Sequence, residues 1–353
     1  MAVSPQNVLL YSPLAQNLLG GMTIWTYTYL SACEQHGLHA TLVNSAAEGA
    51  RAENPEAKMS IRDEISRTLH IFCALRSALK SKIDVAHVNT SCGPFGIIRD
   101  CIAVRMIKRR GLRTVVHFHC DIPFWVHSKI SKLCLKAMCR NADQLFVLCH
   151  HSEEYLKDNF SVESIKVPNF ISAESTVPSH QINDTIENIL YVGGVQPDKG
   201  CNELFEAARQ CPDKHFILAG KVSDDVHPEN LLANVELLGG VPHDEILALL
   251  DRADVFLFPS HSEGFSLALA EAMARGLPVI TTDVGANLDM IEDRGGLIVP
   301  VGDAKGIISA IRQLENKQIR TTMSQWNIQK VKECYTTDRV LERMKQHYFE
   351  MPV

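Results

Sequence analysis

Short runs of β-branched and aliphatic residues alternate with stretches of helical periodicity along the whole chain, and this alternation limits the fold more than any other feature. In the first half the strand-like runs are Val8–Tyr11, Ala40–Val43, Val85–Val88, Thr114–Phe118 and Gln144–Leu148. Helical patterns such as Met22–Gln35, Arg62–Lys80 and Lys129–Arg140 lie between them. In the second half the runs are Ile189–Val192, His215–Ala219, Val235–Leu238, Val255–Phe258, Pro278–Thr281 and Leu297–Val299. Such alternation predicts an α/β fold with parallel sheets and helices on both faces. The rhythm breaks at Ser172–Glu187, which is polar and lacks periodicity. A chain of 353 residues suits two domains better than one. The expectation is therefore two doubly wound, Rossmann-like domains facing a cleft. The first covers residues 1–172, a linker covers 173–187, and the second covers 188–330. A helical tail over 331–353 is expected to pack back on the first domain. Ligands of open α/β sheets bind beyond the carboxyl ends of the strands, so chemistry should sit in strand-to-helix loops.

The net charge of −6 divides unevenly, at +5 over residues 1–170 and −11 over the rest. Two halves of opposite sign suggest domains that face different partners. A nucleic-acid binder would concentrate more positive charge, so no nucleic acid is expected. The eleven cysteines are odd in number and form no Cys-x-x-Cys pair, which points to reduced thiols and a cytoplasmic protein. No apolar run is long enough to span a bilayer, and the first residues do not read as a signal peptide.

The densest motif follows Val255–Phe258 and runs Pro259-Ser260-His261-Ser262-Glu263-Gly264-Phe265-Ser266-Leu267-Ala268-Leu269-Ala270-Glu271. Gly264 permits close backbone approach. A helix beginning near Ser266 offers free amides to an anion. Glu271 then falls inside a helix otherwise made of Leu and Ala, where a carboxylate needs a partner. Ribose hydroxyls are suitable donors; the alternative is a solvated helix residue. A second motif follows Ile189–Val192 and runs Gly193-Gly194-Val195-Gln196-Pro197-Asp198-Lys199-Gly200. Lys199 there offers a cation to a diphosphate leaving group, the alternative being a surface lysine. Gly20-Gly21 lies between the first strand and the first helix, but no Gly-x-Gly-x-x-Gly occurs to mark a dinucleotide site. His117-Phe118-His119-Cys120-Asp121 closes the run Thr114–Phe118.

These motifs resemble the retaining GT-B glycosyltransferases of family 4, over about residues 7–315. The resemblance implies an enzyme that moves a hexose-type sugar from a nucleotide-diphosphate donor to a saccharide or lipid-linked acceptor, in surface polysaccharide or glycan synthesis. It implies that the first domain binds the acceptor and the second the nucleotide-sugar, that Glu263 meets the sugar hydroxyls, that Glu271 binds the ribose, and that the Gly264, Phe265, Ser266 and Leu267 amides hold sugar and diphosphate. It places Gly20, Gly21 and Gly193 beside the donor, and His119 near donor sugar and acceptor, with Asp121 orienting it or meeting acceptor hydroxyls. His117 is the alternative to His119 and reads as a core residue. Lys166-Val167-Pro168-Asn169-Phe170 resembles the family's strand before the linker, and Asp283-Val284-Gly285-Ala286-Asn287 a loop of the sugar pocket.

One departure stands out. The family pattern is Gly-Arg-x-x-x-x-Lys-Gly, and the Arg position is Gly194 here. Lys221, after Ala219-Gly220, is the expected partial substitute. No Asp-x-Asp occurs, so neither metal nor cofactor is expected, and cationic side chains with helix amides must neutralise the diphosphate. Lys129, Lys132, Lys136 and Arg140 repeat at helical spacing beside Ile130 and Leu133, downstream of Lys108-Arg109-Arg110, so a peripheral contact with an anionic membrane surface is a further expectation. The rival readings are a non-catalytic nucleotide-sugar-binding subunit and a sugar-nucleotide epimerase of similar fold.

Overall fold

The computed structural model describes residues 6–15, 20–46, 60–172, 174–176, 181–226 and 232–349. The chain divides into two units, one of residues 1–169 with 337–353 and one of residues 170–336. The divisions fall at Asn169/Phe170 and Thr336/Thr337.

In the first unit six parallel strands run β2-β1-β3-β4-β5-β6. They are β1 (Gln6–Ser12), β2 (Leu38–Asn44), β3 (Val85–Thr90), β4 (Arg113–Phe118), β5 (Gln144–Val147) and β6 (Ile165–Lys166). All six residues of β3 are buried, which is what covering a parallel sheet on both faces requires. Helix α1 (Gly21–Cys33) follows β1, α2 (Ile61–Ala78) follows β2, and α3 (Gly96–Lys108) follows β3. The short α4 (Ile122–Trp125), α5 (Lys129–Asn141) and α6 (His150–Phe160) complete the crossovers. Serines start two of these helices: Ser60 caps α2 through the Asp63 amide, and Ser128 caps α5 through the Ser131 amide at 3.0 Å.

The second unit holds β7 (Asn188–Val192), β8 (His215–Ala219), β9 (Val235–Gly239), β10 (Val255–Phe258), β11 (Val279–Thr282) and β12 (Gly296–Val299). Their parallel order is β12-β11-β10-β7-β8-β9. Its helices are α7 (Cys201–Gln210), α8 (His243–Arg252), α9 (Leu267–Arg275), α10 (Asn287–Ile291), α11 (Ala304–Leu314) and α12 (Lys317–Cys334). Helix α12 is held to the sheet by Asn327, whose amide donates to the carbonyls of Leu277 and Gly295 at 2.8 Å each.

The last helix, α13 (Thr337–Phe349), belongs to the first unit. It buries Val340, Leu341, Met344 and Tyr348. The Tyr348 hydroxyl lies 3.2 Å from that of Tyr29 and contacts His87 Nδ1.

Each strand order reverses direction at one point, between β1 and β3 in the first sheet and between β7 and β10 in the second. Loops beyond the carboxyl ends of two such strands diverge and leave a crevice. In the second sheet those two loops are the ones that carry Lys199 and Glu263.

Candidate functional site

The loop after β7 is built around contacts too close for side chains. Gly220, just past β8, has φ +153°, and a Cβ there would stand 1.8 Å from the Gly193 carbonyl oxygen. The two loops are laced by the Gly193 amide to the Ala219 carbonyl and the Val195 amide to the Lys221 carbonyl, at 2.9 and 2.8 Å. The backbone of Lys221 is therefore beside this loop, and its side chain is exposed. Gly200 has φ +80°, and a Cβ there would lie 2.2 Å from the Pro259 carbonyl. That approach presses the Lys199 turn against the loop after β10.

Lys199 Nζ donates to Glu263 Oε1 at 2.7 Å and to the Ser262 carbonyl at 3.0 Å. Ser260 Oγ donates to the same Glu263 oxygen at 2.9 Å. Both bonds fall on Oε1, which leaves Oε2 to accept from a ligand hydroxyl. An ammonium has three protons, so Lys199 keeps a third for an anion. The pair is partly shielded, with the Lys199 and Glu263 side chains 26% and 14% exposed. Below them the Tyr191 hydroxyl donates to the Gly194 carbonyl at 2.7 Å. Burial, reinforced by the Glu263 charge, raises the Tyr191 pKa and keeps that phenol protonated. The loop after β11 joins the group through the Ala286 amide, which donates to the Gly264 carbonyl at 2.9 Å.

Helix α9 begins at Leu267, one residue past the expected Ser266, because Ser266 is its N-cap and accepts from the Leu269 amide at 3.2 Å. The amides just before Leu269 lack intrahelical acceptors and carry the positive end of the helix dipole. Phe265 is turned inward, edge-on to Tyr335 with ring centroids 5.4 Å apart, so only its backbone is offered to a ligand. Glu271 does not wait for a ligand to find a partner. Its Oε1 is 2.8 Å from His243 Nε2 and 3.3 Å from Ser175 Oγ, and its side chain is 13% exposed. His243 and Ser175 beside Glu271 are neighbours that sequence reasoning missed, and Ser260, quoted in the motif, was given no partner there. The structure thus groups Gly193, Lys199, Glu263, Gly264, Phe265, Ser266 and Leu267 at one switch point, with Glu271 further along α9.

Gly20, Gly21, His119 and Asp121 belong to the first unit. Gly20 is the N-cap of α1, with φ 93°, and Gly21 is its first residue. His119 follows β4 and sits among buried aromatic rings, 5.0 Å from Trp25 and 4.0 Å from His117 between centroids. Burial, with His87 nearby, pushes its pKa down to about 3. It is a neutral imidazole, able to donate and accept but not to serve as a cation. His87 is likewise pushed down to about 3 by burial, and His117 lies well below its usual value for the same reason, reinforced by His119 and His87. Asp121 stands at the N-cap position of α4 without a side-chain capping bond and lies 3.4 Å from Ser152 Oγ; burial raises its pKa against the opposing pull of His151. Asp121, Cys149 and His151 bring ligand-type atoms within 4.8 Å of one another. Cys149 is fully buried and its thiol already faces Ser152, which is the arrangement of a hydrogen-bonded loop.

Helix α5 exposes Lys129, Lys132, Lys136 and Arg140 together with Ile130 and Leu133. Phe124 and Trp125 of α4 are exposed beside it in sequence. No helix of the described residues is long and apolar enough to cross a membrane.

Residues 172–330 match the family described as Glycosyl transferases group 1, and residues 19–174 match Glycosyltransferase Family 4. The chain is 26% identical over 306 residues to the Escherichia coli UDP-Gal:alpha-D-GlcNAc-diphosphoundecaprenol alpha-1,3-galactosyltransferase, covering 78% of this chain and 77% of that one. It is 29% identical over 171 residues to the Staphylococcus aureus capsular polysaccharide biosynthesis glycosyltransferase CapM, covering 45% of this chain and 44% of CapM. Among solved structures, sucrose-phosphate synthase from Thermosynechococcus elongatus superposes with a TM-score of 0.78 at 19% identity, over 97% of this chain and 98% of that one.

Proposed function

The chain belongs to the group 1 glycosyltransferases of family 4 and has the GT-B fold, and from that premise we propose a retaining hexosyltransferase that uses a nucleotide-diphosphate sugar. Its relatives place it with glycosyltransferases of polysaccharide biosynthesis. The observation that carries the donor reading is the Lys199–Glu263–Ser260 cluster at the switch point of the second sheet. The free oxygen of Glu263 accepts from a sugar hydroxyl. The third Lys199 proton and the α9 amides meet the diphosphate, and Glu271 takes the ribose. A UDP-sugar is named in the galactosyltransferase relative, which supports a nucleotide donor for this chain.

In the proposed reaction the bond from the anomeric carbon to the diphosphate oxygen breaks as the acceptor oxygen bonds to the same face of that carbon. The acceptor proton passes to a departing diphosphate oxygen. No protein carboxylate acts as nucleophile, and no metal or cofactor is required. Neutral His119 is assigned to a sugar or acceptor hydroxyl, with Asp121 orienting the acceptor; Gly20 and Gly21 offer backbone to the donor phosphates. Proton NMR of the product tests retention directly, since an inverted anomer contradicts the mechanism.

The Arg absent at Gly194 gives a sharper test. Gly194 has a backbone open to any residue, and a Cβ there meets Gln196 no closer than 3.6 Å. Gly194→Arg is expected to fold and to raise turnover about ten-fold, the effect of one more preorganised donor on the leaving group. Lys221→Ala is expected to weaken donor binding and turnover in the parent chain, and to matter less when combined with Gly194→Arg. Unchanged kinetics in both single variants would remove the diphosphate from this loop. Gly194 is also what favours the rival reading of a binding subunit, which predicts donor binding without transfer or hydrolysis.

The α5 stripe supports a peripheral contact on a membrane's anionic face. Flotation with anionic liposomes at low salt is expected to carry the protein, and 0.5 M salt to release it, since about 4 Å of screening length then remains. Protein left at the bottom of the gradient at low salt contradicts the contact.

A further inference from the structure

The first sheet has its own switch point, and a pocket of about 280 Å³ opens there beyond β1, β2 and β3. None of the residues given a role above lines it. Three buried polar atoms of its wall have no hydrogen-bond partner among the described residues: Glu64 Oε2, Arg67 Nε and Asn89 Oδ1. Asn89 is 1% exposed, and its amide nitrogen is held by Ser12 Oγ at 2.8 Å, so the orientation of its oxygen is set by the core. The charges in the wall cancel. Arg67 pairs with Glu64 at 2.5 Å and Arg99 with Asp100 at 2.9 Å. Two unfilled acceptors and one unfilled donor in a neutral wall match hydroxyl groups, each of which donates and accepts. A phosphate or carboxylate would instead need a surplus of donors.

Through Glu64, Phe95 and Arg99 the pocket shares a wall with a groove of about 220 Å³ between α2 and α3. The groove is walled by Ile65, Leu69, Phe95, Ile98 and Ile102. Those side chains are 56%, 58%, 72%, 37% and 41% exposed, and together they make the groove an apolar channel open to solvent. Isolated exposed aliphatics are ordinary, but a contiguous row that borders a polar pocket is not.

We propose that these two cavities bind one amphiphilic acceptor, with a saccharide in the polar pocket and its hydrocarbon chain along the α2–α3 groove. The acceptor role rests on the glycosyltransferase reading; the amphiphile site does not. The shared wall of Glu64, Phe95 and Arg99 sets a polar and an apolar cavity side by side, and that juxtaposition selects this occupant. A free sugar would leave the groove empty, and a plain lipid would leave Glu64, Arg67 and Asn89 unmatched.

The test is photolabelling of the full chain with octyl glucoside bearing a terminal diazirine, held below its micelle concentration, beside an octanol diazirine without sugar. The glycoside is expected to label peptides 61–78 and 96–108 at least ten-fold more than the alcohol does. Arg67→Ala is expected to remove that advantage. Leu69→Ser with Ile98→Ser is expected to cut the label at least ten-fold, with melting unchanged because both side chains are exposed. Label concentrated on Phe124, Trp125, Ile130 and Leu133, equal labelling by the two probes, or full label in the double variant would each overturn the site. Turnover of UDP-, GDP- and ADP-sugars with octyl and methyl glycosides is read in parallel. Donor turnover without groove labelling overturns the amphiphile and leaves the enzyme. Groove labelling without any donor turnover does the reverse.

Discussion

Lys199→Ala is expected to lower the turnover of sugar transfer by about 30- to 1,000-fold, which corresponds to roughly 2 to 4 kcal/mol of barrier, the scale of losing one preorganised charge donor. The donor's KM should change far less. The reason lies in how the ammonium is held. Two of its protons are committed to Glu263 and Ser262, at 2.7 and 3.0 Å, before any donor arrives. Its third proton is thereby aimed without further ordering, and it meets a diphosphate whose charge grows as the glycosidic bond breaks. Loss of a contact that binds substrate and transition state equally would instead raise KM and spare turnover. A Lys199→Ala enzyme with near-normal turnover would remove the residue from the chemistry and leave it a structural partner of Glu263.

Mild acid is expected to destabilise the first unit strongly. His87, His117 and His119 are buried together, and burial holds all three neutral, two of them with pKa values pushed down to about 3. In the unfolded chain each takes up a proton near pH 6.5. Between pH 6.5 and about 3 the unfolded state therefore binds more protons than the folded one, and stability falls as pH falls. At pH 5 the loss is about 2 kcal/mol for each of His87 and His119, or about 4 kcal/mol for the two, a large share of an ordinary domain's stability, and His117 adds to it in the same direction. Above pH 7 both states are neutral and the dependence vanishes. Urea unfolding at pH 7 and pH 5, followed by Trp25 fluorescence in a chain carrying Trp125→Phe and Trp326→Phe, measures it. His117→Gln should reduce the pH dependence, whatever it does to stability at pH 7. A midpoint that does not move between pH 7 and pH 5 contradicts the buried, neutral cluster.

The two α/β sheets were legible in the sequence because their signal is local. β-branched runs of four to seven residues recur between helical periods, and a parallel strand covered on both faces has no polar alternation to confuse it. β6 spans two residues, Ile165–Lys166, and is too short to announce itself. The motif residues were legible for a related reason. Lys199 and Glu263 each follow a strand within a few positions, so their loops could be placed before the sheet order was known. Their pairing could not. It follows from β7 and β10 being neighbours, which is a property of the sheet order. The same holds for the partners of Glu271. His243 lies 28 positions away and Ser175 lies 96 away, and no local pattern links them. The expectation that ribose must satisfy Glu271 overlooked them; ribose would join or displace His243 rather than fill a void. The helix that completes the histidine cluster comes from farther still, with Tyr348 reaching His87 across 261 positions.

If the second unit binds a nucleotide-diphosphate sugar through Lys199, Glu263 and Glu271, such a donor must stabilise the folded chain and must do so through those side chains. Thermal unfolding of the wild-type chain and of Glu271→Ala, each titrated with UDP-, GDP- and ADP-sugars, tests this most directly. One donor class should stabilise the wild type by about 2.7 kcal/mol at one hundred times its dissociation constant, a rise of several degrees. Glu271→Ala should need at least ten-fold more of the same donor for the same rise. A wild-type transition that no nucleotide-sugar moves, or an equal response from the variant, would contradict the claim.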